Sequence, residues 1–272
     1  MAIQSSGVSL DTSQSEACPI CRSPANWAFK SRFVDVAQCS STECSHLFAM
    51  AATNEDGVQT HEDAQAEESL FRERNSRLVE FWKKKGFLRP GVRVLDVGAG
   101  AGHISKAIWG LVEGADLTCI EADPASCLAL GSLGFQSHRS LLDCSDTFDA
   151  ILLVEVIEHV SEPAAFLRAC RERMATGAKI FLSTPCGQTS RGSRATNAYD
   201  TREHVHFFTE SSLRAVCNQA GLKVLAWENG SVLYPRRFGL KGWLDRSKSL
   251  VRPVRDLLRG RAHLVAFLER EE

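Results

Sequence analysis

Short apolar runs alternate with amphipathic segments through the middle of the chain. Predominantly apolar runs at residues 92–97, 117–120 and 148–154 predict strands that are buried on both faces, as in a parallel sheet. The segments between them have the apolar spacing of helices. This alternation is typical of an α/β fold with helices on both faces of one sheet. The remaining predicted strands are residues 134–137, 177–184, 222–228 and 231–234.

A glycine-rich turn follows the first of these strands. Gly98, Gly100 and Gly102 occupy alternate positions after Asp96, and a predicted helix starts at residue 104. Glycine lets the backbone turn tightly and approach a ligand closely because it has no Cβ. The start of a helix offers free N–H groups at the same place. The phosphate-binding pattern G-x-x-x-x-G-K-[ST] is missing from the sequence, which favours a different kind of nucleotide site.

A second acid, Glu121, closes the next predicted strand, where a carboxylate can accept hydrogen bonds from both hydroxyls of a ribose. Together with Asp-x-Gly-x-Gly-x-Gly, it resembles the cofactor site of class I S-adenosylmethionine (SAM) methyltransferases. The resemblance implies a Rossmann-like seven-stranded sheet, with Asp96 near the amino-acid part of SAM and Glu121 on its ribose. Asp143 is a loose match to the acid near the adenine. The predicted cofactor-binding residues are Asp96, Gly98, Ala99, Gly100, Gly102, Glu121, Ala122, Asp143 and Glu155.

Two pairs of cysteines precede this region. Cys18 and Cys21 form one pair, and Cys39 and Cys44 form the other, with a segment of strand-like composition between them. Two pairs in tight turns can place four thiolates around a zinc ion, so we expect a structural zinc ribbon with no open coordination position. His46 is an alternative fourth ligand. The remaining cysteines lie scattered in apolar segments and are expected to be small core residues.

The sequence Glu155-Val-Ile-Glu158-His159 follows the fourth predicted strand. In a helical turn, the two acids and the histidine would share one face at the carboxyl edge of the sheet, where open α/β folds bind ligands. Like charges repel at this spacing, and a divalent cation would relieve the repulsion. An equally weighted alternative places Glu155 near SAM, Glu158 in solvent and His159 in a capping or packing role.

His204 lies shortly before Thr209, a predicted helix cap. The EVIEH segment with such a later histidine resembles two metal-dependent branches of the superfamily, the ubiquinone-biosynthesis O-methyltransferases and the small-RNA 2′-O-methyltransferases. By its position His204 matches better than His206. The resemblance implies Mg²⁺ or Mn²⁺ as a further cofactor. The implied ligands are Glu155, Glu158, His159 and His204. Without a metal, His159 or His204 is the catalytic general base.

The prediction for function is a SAM-dependent O-methyltransferase that acts on a hydroxyl of a small molecule. Similar ribbons precede methyltransferase domains that act on sugars, so the resemblance implies a sugar or polyol-like acceptor. An RNA 2′-O-methyltransferase is the alternative, favoured by the metal motif, the ribbon and a basic C-terminal segment. A non-catalytic SAM-binding scaffold is a third reading, and the complete glycine and Glu/His sets count against it.

Length and charge agree with this picture. The chain has 272 residues, is 44% hydrophobic and carries a net charge of -1, which gives no whole-chain argument for nucleic-acid binding. Neither a signal peptide nor an apolar run of about 18 residues is evident, so we expect a cytoplasmic protein without a membrane span. A homo-oligomer is compatible with the sequence. The predicted divisions are a disordered segment 1–16, a zinc ribbon 17–50, a linker and cap or packing helix 51–90, a methyltransferase domain 91–235 and a basic helical tail 236–272.

Overall fold

The computed structural model describes most of the chain between residues 16 and 271. The described residues are 16–31, 33–50, 68–187, 199, 201–228, 230–233 and 263–271. Nearly all of the predicted disordered segment 1–16, the linker up to residue 67 and most of the predicted basic tail therefore lie outside the described residues. Among the helices that are described, none has both the length and the apolar character needed to cross a membrane.

Eleven strands and five α-helices make up the described part of the chain. The strands are β1 (Ala25–Lys30), β2 (Asp35–Cys39), β3 (Leu47–Ala49), β4 (Arg93–Val97), β5 (Asp116–Ile120), β6 (Gln136–His138), β7 (Phe148–Val154), β8 (Met174–Pro185), β9 (His206–Phe207), β10 (Leu222–Glu228) and β11 (His263–Arg270). The helices are α1 (Glu68–Lys84), α2 (His103–Leu111), α3 (Pro124–Ser132), α4 (Pro163–Glu172) and α5 (Glu210–Gln219). Short 3-10 turns occur at Leu141–Asp143, Ile157–His159 and Gly230–Val232.

The main sheet has seven strands in the order β10-β11-β8-β7-β4-β5-β6. Strands β4 to β8 run parallel to one another, whereas β11 is antiparallel to both β8 and β10. Each face is covered by its own apolar cluster. The predicted Rossmann-like α/β fold is thus confirmed, and the carboxyl ends of β4, β5 and β7 meet at one edge.

A smaller sheet contains the N-terminal strands in the order β1-β2-β3-β9. Its first three strands come from the cysteine-rich segment, but β9 lies some 150 residues later, after the main parallel strands. The pairing joins Leu47 to Phe207 and Phe48 to His206. The cysteine-rich sheet is therefore continuous with the methyltransferase region through a shared strand.

The C-terminal prediction needs two corrections. The segment predicted as a helical tail contains strand β11, which fills the slot between β8 and β10. Its five consecutive buried residues, 264–268, suit a central strand that is covered on both faces. The strand predicted at residues 231–234 is also wrong, because Gly230–Val232 forms a 3-10 turn. The seventh strand of the sheet, β11, therefore comes from much further along the chain than residues 231–234.

Candidate active site

The glycine turn after β4 is pinned to the end of β5. The N–H groups of Gly98 and Ala99 donate to the carbonyl of Ile120 at 2.8 and 3.1 Å. The N–H of Gly100 donates to a carboxylate oxygen of Glu121 at 2.7 Å, while the other oxygen accepts from the N–H of Asp123 at 2.9 Å. Glu121 therefore shapes the glycine loop in addition to its predicted role on the ribose.

All three glycines of the motif have left-handed backbone angles, with φ of 71°, 53° and 72° for Gly98, Gly100 and Gly102. A Cβ at Gly98 would lie 2.6 Å from the side chain of Val156, and one at Gly102 would lie 2.6 Å from Leu130. A Cβ at Gly100 meets nothing within 4 Å. Gly98 and Gly102 are thus required by packing, and Gly100 faces open space, where a cofactor can approach the backbone.

Asp96 is buried beneath this loop. Its carboxylate accepts a hydrogen bond of 2.6 Å from the hydroxyl of Ser105, in the first turn of α2. Burial and the nearby charge of Glu121 outweigh that bond and raise the pKa of Asp96 to about 6. Asp96 fastens the helix start behind the glycines, and its contact with the amino-acid part of SAM stays a prediction. Sequence reasoning missed Ser105, which the motif gives no reason to single out.

Two further predicted cofactor residues, Ala122 and Asp143, lie at the same side of the sheet. Ala122 is exposed after β5, and its carbonyl accepts from the guanidinium of Arg139 at 3.2 Å. Asp143 is exposed at the end of its 3-10 turn. Neither position conflicts with a cofactor contact, and both assignments stay predictions.

The EVIEH segment separates its two acids. Glu155 has a left-handed backbone with φ 58°, which is uncommon outside glycine and concentrates at functional sites. Its carboxylate accepts from the hydroxyl of Ser183 at 2.7 Å and lies 3.3 Å from Nε2 of His263. Burial alone would raise the pKa of Glu155, but the bonds and charge of His263 and Ser183 hold it below the ordinary value.

Glu158 lies in a different environment, fully buried in the 3-10 turn. One carboxylate oxygen accepts from the hydroxyl of Thr184 at 2.9 Å, and the other, Oε1, has no hydrogen-bond partner among the described residues. Burial, together with the charge of Glu155, raises the pKa of Glu158 well above its ordinary value. A buried carboxylate with an unpaired oxygen calls for a proton or a cation.

The structure brings Glu158, His159 and His204 together. One ligand atom from each lies within 4.8 Å of the others, and the two imidazole rings meet edge to face at 4.8 Å. Glu155 is outside this group, so the structure brings together three of the four predicted metal ligands, and the ligand set stays a prediction. Glu155, the residue after β7, has a left-handed backbone, which departs from the helical turn predicted to place Glu155, Glu158 and His159 on one face.

His159 has a defined tautomer. Its Nδ1 lies 3.1 Å from the carbonyl oxygen of Glu203. A carbonyl can only accept, so Nδ1 carries the proton and Nε2 carries the lone pair of the neutral ring. Burial lowers the pKa of His159 from its ordinary value, although the Glu203 carbonyl opposes this. His159 is therefore neutral at pH 7 and able to accept a proton or a metal.

The four N-terminal cysteines also converge. Their sulfur atoms all lie within 4.8 Å of one another, with 3.8 Å between Cys18 and Cys44 and 3.3 Å between Cys21 and Cys39. Sulfurs bound tetrahedrally to zinc at ~2.3 Å would stand about 3.8 Å apart. A hydrogen bond from Cys44 lowers the pKa of Cys18 to about 5, whereas burial raises the pKa of Cys39 to about 11. Only a cation would let all four be thiolates, so the residues fit zinc.

His46 and His206 lie near this cluster and contact each other where the cysteine-rich sheet meets the methyltransferase region. Nε2 of His46 lies 3.0 Å from Nδ1 of His206, and both rings are buried. Burial lowers the pKa of His46 and brings that of His206 to about 4. Both rings are thus neutral at pH 7. His46 is not in the cysteine cluster, and His206 is not in the Glu158 cluster.

The order of the sheet, with an antiparallel strand inserted beside the parallel ones, and the glycine loop held by Glu121 define a class I SAM-dependent methyltransferase. A family model described as a methyltransferase domain matches residues 63–226, and the chain belongs to this family.

Curated relatives and solved structures agree with this assignment. The ubiquinone biosynthesis O-methyltransferase of Xanthomonas oryzae pv. oryzae (strain PXO99A) is 36% identical over 105 residues, which is 35% of this chain and 43% of the relative. The match thus spans less than half of that relative's length. A SAM-dependent methyltransferase from Archaeoglobus fulgidus superposes with a TM-score of 0.52 at 16% identity, covering 72% of this chain and 94% of the other.

A chain from the complex between the Haloferax volcanii Trm112 methyltransferase activator and a methyltransferase superposes with a TM-score of 0.58. It is 13% identical, and the match covers 77% of this chain and 96% of that one. At these identities the two solved structures show the fold alone.

Proposed function

We propose that the chain transfers the methyl group of SAM to a hydroxyl oxygen of a small molecule, of the sugar or polyol class. The observation that carries the proposal is the cluster of Glu158, His159 and His204 at the carboxyl edge of the sheet, beside the glycine loop. A relative named for O-methylation, the Xanthomonas enzyme, supports oxygen as the acceptor atom. The choice of a sugar or polyol as acceptor follows the resemblance of the predicted zinc ribbon.

The residues have separable tasks in this reaction. Glu121 and the backbone at Gly100 hold the nucleotide, so that the methyl group is aligned with the incoming oxygen. An alcohol becomes a good nucleophile only when its proton leaves. His159 can take that proton at Nε2, because its Nδ1 proton is committed to the Glu203 carbonyl. His204, whose ring contacts that of His159, is the second candidate for the same task.

We further propose that Glu158, His159 and His204 hold Mg²⁺ or Mn²⁺. The unpaired Oε1 of Glu158 and two imidazoles within 4.8 Å fit a divalent ion, with Mn²⁺ accepting nitrogen ligands more readily than Mg²⁺. Such an ion would lower the pKa of a hydroxyl that it contacts. The four cysteines, by the fit described above, would hold a structural zinc ion.

Labelled SAM tests the reaction and its acceptor. We expect the purified chain to transfer label to sugars, polyols or other hydroxylated metabolites in a fractionated lysate. Label in RNA alone would replace the small-molecule proposal with RNA 2′-O-methylation. Binding of SAM without transfer to any fraction would favour a SAM-binding scaffold and contradict the proposal.

Two variants separate the metal from the general base. Glu158→Gln keeps the size of the side chain and an acceptor for Thr184, and His159→Gln removes the imidazole. If a metal is required, both variants lose turnover and added Mn²⁺ no longer stimulates. If His159 is only a base, Glu158→Gln stays active. Glu162→Gln, an exposed acid in the same stretch of chain, is the matched control. Bound divalent metal is first removed with a chelator. The zinc content of each sample is then measured, because the chelator would also remove an ion from the cysteine cluster.

A further inference from the structure

The segment that carries His204 is bonded on both sides. Val205 donates its N–H to the carbonyl of Glu158 at 2.9 Å, and its own carbonyl accepts from the N–H of Ala49 at 3.0 Å. Ala49 ends β3, so a single residue joins the cysteine-rich sheet to the turn that contains Glu158. The carbonyl of Glu203, on the other side of His204, accepts a hydrogen bond from Nδ1 of His159. Both neighbours of His204 are therefore fixed.

His46 fastens the same junction through its side chain. Its Nε2 lies 3.0 Å from Nδ1 of His206, and its Nδ1 lies 3.2 Å from Oγ of Ser212. All three residues are buried. Loss of the imidazole would remove the partner of the buried Nδ1 of His206, whereas Ser212 keeps its hydrogen bonds to Thr209. His46 thus links the sheet β1-β2-β3-β9 to the helix α5 that follows it.

The backbone of the cysteine cluster is tied to the same helix. The carbonyl of Cys44 accepts from the hydroxyls of Thr209 and Ser211, at 3.2 and 2.9 Å. Thr209 is also the N-cap of α5, where its side chain and that of Ser212 form a capping box. The cysteine turn, β9 and the start of α5 are consequently one hydrogen-bonded unit.

We propose that His46 is a positioning residue: with strand β3 it holds residues 203–207 so that His204 stands beside Glu158 and His159. The cysteine-rich sheet is then part of the reaction site and not an independent accessory module. This inference rests on the proposed function, in which the Glu158 cluster acts on the acceptor hydroxyl. The glycine loop and Glu121 lie on other elements, so cofactor binding does not depend on His46.

Two substitutions of His46 test the proposal in the full chain. His46→Leu keeps the bulk and removes both polar contacts, whereas His46→Gln can restore the one to His206. We expect His46→Leu to lower kcat by about 10- to 100-fold with an unchanged KM for SAM, since a displacement of about 1 Å has that effect on an aligned reaction. His46→Gln recovers part of the loss. Trp27→Leu, an exposed position on β1, is the matched control and leaves kcat unchanged.

Hydrogen exchange supplies a readout that is independent of turnover. In His46→Leu, amides of residues 203–207 are expected to exchange faster, while the affinity for the demethylated cofactor and the zinc content stay at the wild-type values. Wild-type kcat in His46→Leu, despite loss of both contacts, would overturn the proposal. If the wild-type chain binds cofactor but methylates nothing, the proposed function fails, and the exchange measurement still decides the positioning role.

A second measurement needs no variant and covers the case in which His46→Leu does not fold. In the wild-type chain, the amide protons of Ala49 and Val205 are followed by exchange at increasing, sub-denaturing concentrations of urea. The proposal requires that both open in one cooperative step, because Val205 is held by β3. If the Ala49 amide exchanges while the Val205 amide stays protected by its bond to Glu158, the cysteine-rich sheet does not position His204.

Discussion

His263 places its Nε2 3.3 Å from a carboxylate oxygen of Glu155 at the cofactor edge of the main sheet. Glu155 directly follows β7, and His263 begins β11, the strand inserted between β8 and β10. Glu155 also accepts from Ser183 on β8, so three strands meet at this carboxylate. The last described strand of the chain thus reaches the site directly, and no local pattern indicated this contact.

Replacing His263 tests that contact. His263→Gln removes the imidazole that contacts a largely buried carboxylate, and we expect the free energy of unfolding to fall by about 1–3 kcal/mol. Because the pKa of Glu155 is lowered in the folded chain, its contribution is present above about pH 4.3, the ordinary pKa of glutamate, and is lost as the pH falls further. Urea unfolding at pH 7 and pH 4 measures both effects. His138→Gln, at a partly exposed position on β6, is the control. An equal loss of unfolding free energy in the two variants would contradict a stabilising contact between His263 and Glu155.

Asp96 gives the opposite pH dependence. Its pKa of about 6 in the folded chain is above the ordinary value of aspartate, so the folded state binds the extra proton between about pH 4 and pH 6. Wild-type stability attributable to this residue therefore decreases as the pH rises through that range. Asp96→Asn removes the titration and keeps an acceptor for Ser105. The free energy of unfolding of Asp96→Asn minus that of wild type is expected to be about 2–3 kcal/mol larger at pH 7 than at pH 4. A pH-independent difference would contradict the raised pKa.

Gly100 distinguishes a ligand role from a backbone role. Alanine at this position incurs the left-handed penalty of about 1–2 kcal/mol, and its Cβ would enter the open space beside the loop. We expect Gly100→Ala to weaken SAM binding by at least about tenfold in calorimetry, or ~1.4 kcal/mol. Gly114→Ala has a similar φ of 63° in the turn before β5, far from the loop. Gly114→Ala should be less stable because of the same backbone strain, but should bind SAM with unchanged affinity. Equal affinities for SAM in Gly100→Ala and Gly114→Ala would contradict a close approach of the cofactor to Gly100.

Metal analysis tests the cysteine cluster. We expect about one zinc ion per chain after extensive dialysis, and Cys21→Ser should lose it because a structural site needs all four ligands. Cys127→Ser, a buried cysteine of α3 outside the cluster, should retain the ion. Full occupancy in Cys21→Ser, or a folded wild-type chain without zinc, would be incompatible with a zinc ribbon.

Local signals account for the predicted site residues that the structure brings together. The glycine spacing, Glu121 and the apolar strand before them are contiguous or one strand apart, and hydrogen bonds join Glu121 and the end of β5 to the glycine loop. Glu158 and His159 also follow from a short motif. Ser183 and Thr184 had a usable signal, since they are polar residues at the carboxyl end of a buried strand. Ser105 and His263 had none.

The sequence by itself determined the class of protein, the glycine loop and the two cysteine pairs, because backbone freedom, strand burial and ligand spacing are properties of short segments. Only the tertiary structure decided that β11 closes the sheet, that β9 joins the cysteine-rich sheet and that Glu155 pairs with His263 in place of the Glu158 cluster. Those choices depend on which distant strand fills a slot and buries its apolar face, and on a single left-handed residue that redirects the chain after β7. Packing between remote segments decides the places of β9 and β11 and the partner of Glu155, and a local sequence pattern does not encode that packing.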